Sequence, residues 1–327
     1  GSLDIIYTIC DNNTLSQACA NATAHILILD ESRLKLKVYL EGALMENGNA
    51  LSSSGKPLMR DNLRRSPFNG QNYIPSKDPY KYAISNFDLT TSFQHVATSQ
   101  RAEFSSIPDS ASVFAVSGEN AIVDWIFVEL RSKSNNTQKI ATRSGLIQRD
   151  GDIVDLDGVS PLAFPGLTAD SFYVVVKHRN HLGVMSSKVA YGQDIDFTNP
   201  NTPVFNFGTS KFPTINYAGL SQNPFLLNGY RCLWAGDANA DGKIKFTNPN
   251  DDLNFIFYDV FAFPSNINSN ANYNFAYGYF QGDYNMDAKT KFENPDDDKN
   301  LLYAQILYYP LNTLYLSNFN FFIQQVP

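Results

Sequence analysis

Apolar and polar residues alternate along much of the chain, with the period of two that extended strands require. Across 121–131, Val123, Trp125 and Phe127 interleave with Asp124, Ile126 and Val128, and both sets are largely apolar. Such a run predicts a strand buried on both faces, near the centre of a sheet. A second buried run, 171–185, carries Val174 and Val176 and ends in a polar kink. Residues 33–43 alternate cleanly and predict a strand with one wet face. Residues 142–158 read as strand, turn, strand. At the N-terminal end, 4–10 and 18–29 predict two strands joined by the polar turn 11–17, with His25 an ordinary strand residue. This piece is too short to bury its own core. It is therefore either docked on the next domain or the end of an earlier one. The polar stretch from about 46 to 80 predicts a long loop, functional or pinned by its neighbours. Its Arg60, Arg64 and Arg65 pair with local acids or face water, with anion binding the alternative.

The pattern changes near residue 237. Gly236-Asp-Ala-Asn-Ala-Asp-Gly-Lys-Ile-Lys-Phe-Thr-Asn-Pro-Asn-Asp-Asp252 recurs as Gly282-Asp-Tyr-Asn-Met-Asp-Ala-Lys-Thr-Lys-Phe-Glu-Asn-Pro-Asp-Asp-Asp298, 46 positions later. Each copy opens with oxygen side chains at alternate positions: Asp237, Asn239, Asp241 and Asp283, Asn285, Asp287. Calcium needs six to eight oxygens, and an EF-hand-type loop begins in this way, with a main-chain carbonyl at position 7. Here that carbonyl belongs to Lys243 or Lys289. Gly242 stands at the sharp turn, and Ala288 replaces it in the second copy, which predicts a weaker loop there. Position 12 is Asn248 or Asn294, not Glu. An inserted Lys-Phe-Thr/Glu-Asn-Pro delays the closing carboxylate to Asp252 and Asp298. These stand just before apolar runs at 253–261 and 301–307, read as short helices, the second stopped by Pro310. An Asp so placed is expected to cap a helix and bind metal at once. The plainer reading is two Asx-rich turns.

Length adds that 327 residues suit two or three domains. Hydrophobic residues reach 43% against 17% charged, a core-forming composition rather than a disordered one. Abundant Tyr and Phe with Asn-rich turns favour β-structure. The net charge of −7 equals the excess of Asp and Glu over Lys within 237–298 alone. Elsewhere the charges balance, with no basic stripe, which argues against a nucleic-acid partner. Two Ca²⁺ ions would offset over half of the acidic excess. No apolar run is long enough for a membrane span. Gly1-Ser2 reads as a cloning remnant ahead of a segment of a longer, monomeric chain. Cys10 and Cys19 flank a polar turn and fit a disulfide in an oxidising compartment, and Cys232 stands alone. Disulfide and calcium together point to a secreted or cell-surface location.

Other acids and bases carry weaker signals. Asp150, Asp152, Asp155 and Asp157 offer a third cation site, but alternation would split them between faces and turns. His178, Arg179 and His181 form a possible ligand-binding set. The plainer reading is a strand end whose imidazoles bond to main chain near the Asp-Gly turns. No Gly-x-Ser-x-Gly, His-Glu-x-x-His or Walker loop supplies a catalytic partner.

Several segments together resemble a known group. They are 123–131, 146–158, 175–185, Trp234-Ala-Gly-Asp-Ala-Asn-Ala-Asp-Gly-Lys243 and the closing Phe321-Phe-Ile-Gln-Gln-Val-Pro327. Their order is similar to the C-terminal region of large secreted or surface proteins of Bacteroidetes, some of them haemagglutinin-like or gliding-type adhesins. The first hairpin resembles the last hairpin of the Ig-like repeats in such proteins. The loops are similar to dockerin and thrombospondin type 3 loops over their first seven positions. The resemblance implies export, by the type IX system, and no known catalysis.

These readings combine into a mainly β chain. It has an Ig-like terminal hairpin (1–30), a β-sandwich (31–230) and a duplicated calcium module with short helices (231–327). The expected function is a calcium-stabilised, non-enzymatic adhesin or binding segment for a glycan or protein ligand, or an export and anchoring module. The alternatives are a polysaccharide hydrolase using Asp150 and Asp155, and a dockerin-like docking module, which needs an exposed apolar face on its helices.

Overall fold

A computed structural model describes residues 2–13, 16–27, 31–44, 50–83, 88–96, 102–187, 189–190, 192–206, 229–247, 249–293, 295, 297–319 and 326–327. The structure is mainly β. Its strands are β1 (Ser2–Cys10), β2 (Cys19–Leu27), β3 (Glu31–Leu34), β4 (Leu36–Lys37), β5 (Ile122–Ser132) and β6 (Asn135–Gln148). They continue with β7 (Asp152–Val154), β8 (Leu162–Pro165), β9 (Ser171–His178), β10 (His181–Met185), β11 (Val189–Ala190) and β12 (Ile195–Asp196). One eight-stranded sheet runs β10-β9-β5-β6-β7-β4-β12, with β11 also on β9. Its pairs are antiparallel except β12 with β4. The helices are α1 (Glu41–Leu44), α2 (Ser110–Ala115), α3 (Leu253–Phe261) and α4 (Asp298–Tyr308).

β5 lies between β6 and β9, and every residue from Ile122 to Arg131 is buried. The doubly apolar alternation of 121–131 is thus satisfied on both faces. Val128 faces Val176 and Leu130 faces Val174 across the β5–β9 ladder. Trp125 and Phe127 are roofed by the long polar stretch. Tyr80, Phe93 and His95 pack on the Phe127 ring at 5.5, 5.3 and 5.0 Å. Trp125 Nε1 donates to the Pro75 carbonyl at 2.8 Å. That stretch is therefore pinned. Within it Arg64 pairs with Asp61 and donates to the Phe114 carbonyl, Arg60 is buried and Arg65 is exposed.

One strand expectation needs correction. The run 33–43 is not one strand with a wet face. It breaks at Lys35 into β3, paired with β8, and β4, paired with β7 and β12. From Val38 to Leu44 every residue is then buried, and the chain turns into α1. The reason is a close approach: a Cβ at Gly42 would fall 1.7 Å from the Tyr284 carbonyl oxygen, so only glycine fits. The acids of 150–157 are likewise spent. Lys37 pairs with Asp150 and Asp152, Arg143 pairs with Asp155, and Asp157 accepts from the Val159 and Ser160 amides. A third cation site and a free Asp150/Asp155 pair are both unsupported by that arrangement.

β1 and β2 pair in register from Ser2 with Leu27 to Cys10 with Cys19, and the two cysteines form a disulfide. Cys232 is a buried free thiol. The hairpin is not docked: Ile5 is 45% and Ile6 70% exposed. His25 bonds to Asp4 across the ladder at 2.7 Å. The boundary expected near 230 is crossed by packing, since Leu233, Met286 and Ala288 join the sheet's core while Leu182 joins the core around α3 and α4. No helix among the described residues is long and apolar enough to cross a membrane.

Trp125→Ala should cost about 3–5 kcal/mol in denaturant melts, because a fully buried aromatic leaves a cavity. A loss under about 1 kcal/mol would belong to a surface site and contradict this placement.

Candidate functional site

The two Asx-rich loops fold alike, bond for bond. In the first, Asp237 Oδ1 accepts from the Asp241 amide and Oδ2 from the Gly242 amide, both at 3.1 Å. In the second, Asp283 Oδ1 and Oδ2 accept from the Asp287 and Ala288 amides, both at 3.0 Å. Asn239 and Asn285 accept from the amides of Asp241 and Asp287 at 2.9 and 3.0 Å. Asp241 and Asp287 accept from the Lys243 and Lys289 amides, each at 2.9 Å. The alternate-position spacing read in the sequence is thus a single geometry made twice.

Asp252 and Asp298 close the loops. Asp252 accepts from the Ala238 amide at 3.0 Å and the Lys245 amide at 2.8 Å. Asp298 accepts from the Tyr284 and Lys291 amides, each at 2.8 Å. Neither caps its helix, contrary to expectation. Asp251 takes the Asn254 amide at 3.0 Å, and Asp297 takes the Asn300 amide. Adjacent aspartates divide the work. The first satisfies the orphan donors at the helix start, and this leaves the second free to turn into its loop. Position 12 of each loop, Asn248 or Asn294, lies outside the described residues.

Ala288 has φ +70°, against +77° at Gly242. The second loop therefore holds an alanine in the left-handed region, at a cost of about 1–2 kcal/mol. Ala240 and Met286 share a second such position at +53° and +60°.

Asp237, Asp252, Asp283 and Asp298 are buried close together. Asp237 and Asp252 lie well above the usual carboxylate range, first through burial and then through repulsion, from Asp241 on Asp237 and from Asp237 on Asp252. Asp283 and Asp298 are raised in the same way, by burial and then by Asp287 and Asp283 respectively. Arg179 and Arg60 pull Asp283 back part of the way. Among the described residues no three His, Cys, Asp or Glu side chains gather as a metal group.

The repeat also runs further than the loops. After α3, Asn266 Nδ2 donates to the carbonyls of Val260 and Asn270 at 2.8 and 3.0 Å. After α4, Asn312 Nδ2 donates to those of Ile306 and Leu316 at 2.7 and 2.9 Å. Pro264/Pro310 and Asn266/Asn312, each at the same 46-residue offset, were the sequence signal for this extension.

His178, Arg179 and His181 are not at the surface. They form the β9–β10 turn, fully buried and wedged against both loops. Arg179 Nε donates to Asp124 Oδ2 at 2.9 Å, another of its nitrogens donates to the Phe280 carbonyl, and its guanidinium lies 4.4 Å over the Tyr279 ring. Asn180 Nδ2 donates to the carbonyls of Gln281 and Asp283 at 3.1 and 2.7 Å, and its own carbonyl accepts from Gly236 at 2.9 Å. The imidazoles bond mainly to side chains, not to main chain near the Asp-Gly turns. The Gly42 amide donates to His181 Nε2 at 3.3 Å, so the His181 proton sits on Nδ1. His178 Nε2 lies 3.1 Å from Asp124 Oδ2, and its Nδ1 lies 3.1 Å from His181 Nδ1. Burial pushes both imidazoles below their ordinary range, against the pull of Asp124 on His178. Both are held neutral. None of the three offers a free face to a ligand.

Asp259 of α3 is a further buried acid that the sequence did not single out. Its Oδ2 accepts from the Gly282 amide at 3.1 Å, and its Oδ1 has no hydrogen-bond partner among the described residues. Burial pushes it up to about 7. Its counterpart in the second repeat is the neutral Gln305.

The chain matches no family model, no curated protein and no solved structure.

A raised carboxyl favours folding while protonated, so Asp259's contribution is full below about pH 4 and is lost as pH rises through about 7. The buried histidines act oppositely, costing stability as pH falls below about 6.5. Asp259→Asn should therefore be more stable than wild type at pH 8 and lose that advantage at pH 4. Equal melting-temperature differences at the two pH values would contradict this role.

Proposed function

We propose that this chain is a calcium-stabilised binding segment of an exported protein, with one Ca²⁺ in each Asx-rich loop. The observation that carries the reading is the duplicated bonding pattern around four buried aspartates. It orients Asp237, Asn239, Asp241 and Asp252, and likewise Asp283, Asn285, Asp287 and Asp298. It supplies their carboxylates with main-chain amide donors, while burial and mutual repulsion raise the four buried ones. Hard oxygen donors at alternate positions, a carbonyl from Lys243 or Lys289 and water suit calcium. Bound calcium would neutralise carboxylates that otherwise repel in a buried place. In this reading the two repeats are an EF-hand-like module, the eight-stranded sheet belongs to a sandwich, and the exposed hairpin is the end of an Ig-like unit.

The Cys10–Cys19 disulfide supports an oxidising, extracellular setting. The resemblance to Bacteroidetes surface adhesins supports a glycan or protein ligand and a non-enzymatic role. A second reading, docking on a partner through α3 and α4, has one observation in its favour. Phe257 is 44% and Tyr303 36% exposed on those helices.

Titration calorimetry on EDTA-stripped full-length chain should find two calcium ions. Calcium should raise the melting temperature by the linkage term, about 2.7 kcal/mol per site at a hundredfold excess over Kd. Magnesium should substitute poorly, since it demands a tight octahedron. No uptake, with melting indifferent to EDTA, would reduce both loops to acidic turns. On a glycan array the adhesin reading expects retention in calcium and loss in EDTA.

A further inference from the structure

The two repeats are exchanged rather than stacked. Tyr284 belongs to the second loop, between Asp283 and Asn285. Its hydroxyl nevertheless donates to the main-chain carbonyl of Asp252, which closes the first loop, at 2.8 Å. Its amide donates to Asp298, which closes the second, also at 2.8 Å. One buried residue therefore holds both closing aspartates. Gln281, just ahead of the second loop, donates Nε2 to the Ala238 carbonyl inside the first at 2.8 Å.

The aromatic contacts cross in the same sense. Phe246 of the first loop packs on Tyr303 of α4, with centroids 4.8 Å apart. Phe292 of the second loop packs on Phe257 of α3 at 5.7 Å. Trp234, entering the first repeat, meets Tyr309 at the end of the second at 5.7 Å. Phe280, entering the second, meets Phe263 at the end of the first at 6.1 Å. Under the 46-residue offset each contact maps onto the other. The repeats are thus related by an internal two-fold exchange, in which the loop of each is packed by the helix of the other.

Resting on the calcium reading above, we propose that the two loops bind calcium as one cooperative unit, linked through Tyr284 and these exchanged aromatic pairs. A loop lacking its ion keeps mutually repelling carboxylates and must loosen to separate them. Loosening the second loop draws Tyr284 away from Asp252 and Phe292 away from Phe257. Loosening the first draws Phe246 away from Tyr303 and Ala238 away from Gln281. An ion in either loop therefore holds the supports of the other in place. Coupling of this kind is reciprocal, the same factor in both directions.

The test is calcium titration of the full chain, stripped with EDTA, for wild type and three variants. Wild type should take up two ions along a sigmoidal isotherm. Tyr284→Phe keeps the buried ring and removes only the hydroxyl bond. It should still bind two ions, with the sigmoidal character reduced. Asp283→Ala disables the second loop, and the first should then bind calcium about tenfold more weakly, within the usual range for coupled sites. Asp237→Ala should weaken the second loop by the same factor. If circular dichroism shows Asp283→Ala to be unfolded, Asp287→Asn is the milder lesion of the same loop. Absence of calcium uptake by wild type would sink the underlying calcium reading. Two ions bound independently, or a first loop unaffected by loss of the second, would overturn the coupling and leave calcium binding intact. A Tyr284→Phe isotherm identical to wild type would remove Tyr284 as the link.

Discussion

Four aspartates buried in pairs are the constraint on which the rest of the structure depends. Asp237 with Asp252, and Asp283 with Asp298, are removed from water beside one another. Burying a charge is tolerated only when it is bonded and paired. Main-chain amides supply the bonding, and they do so by bending each loop until its donors converge. That bend forces left-handed backbone at Ala240, Gly242, Met286 and Ala288. Charge and turn geometry are therefore one problem, and in the proposed reading a cation at the centre of each loop would relieve the charge.

The sheet meets this problem at one point. The Arg179-Asn180 turn between β9 and β10 reaches into the repeats with polar atoms only. Asn180 satisfies main chain on both sides, through Gly236 before the first loop and Asp283 in the second. Arg179 brings a positive charge near Asp283 but is itself fixed by Asp124. Asp124 in turn is held below its ordinary range: burial alone would raise it, and Arg179 and His178 more than offset that. The histidines complete this chain of donors and acceptors as neutral spacers. A set of residues whose plainer reading in the sequence is a structural strand end, with ligand binding the lesser one, is a buried joint.

Much of this was legible in the sequence where the signal is local. The alternate oxygens, the delayed Asp252 and Asp298 and the doubly apolar 121–131 run each predict their place within a few residues. What escaped is set by contacts distant along the chain. Nothing near Gly42 announces that Tyr284 will pass against it, so the run 33–43 reads as an open strand. Which of two adjacent aspartates caps a helix depends on where the helix starts, and two identical residues give no preference. The repeat was seen in its loops, where identity is dense. It was missed beyond them, where the identities thin to scattered pairs such as Pro264/Pro310, Asn266/Asn312 and Asn272/Asn318.

The aromatics that differ between the repeats show how a duplicated unit becomes asymmetric without losing its architecture. Exchange requires a large ring at each crossing point, not the same ring: Trp234 serves where Phe280 does, and Tyr303 where Phe257 does. Positions off the crossing points are free to diverge, and they have done so. The second loop has lost its turn glycine but sits beside Arg179, whose charge lightens the repulsion at Asp283. The first loop keeps Gly242, and its cations are Lys245, 3.7 Å from Asp241, and Lys177, which draws Asp237 down. The first therefore carries less backbone strain than the second. In the proposed reading a calcium ion would offset the charge and leave the backbone strain in place. The second loop would then hold its ion less well than the first, because Ala288 must be kept in the left-handed region as well.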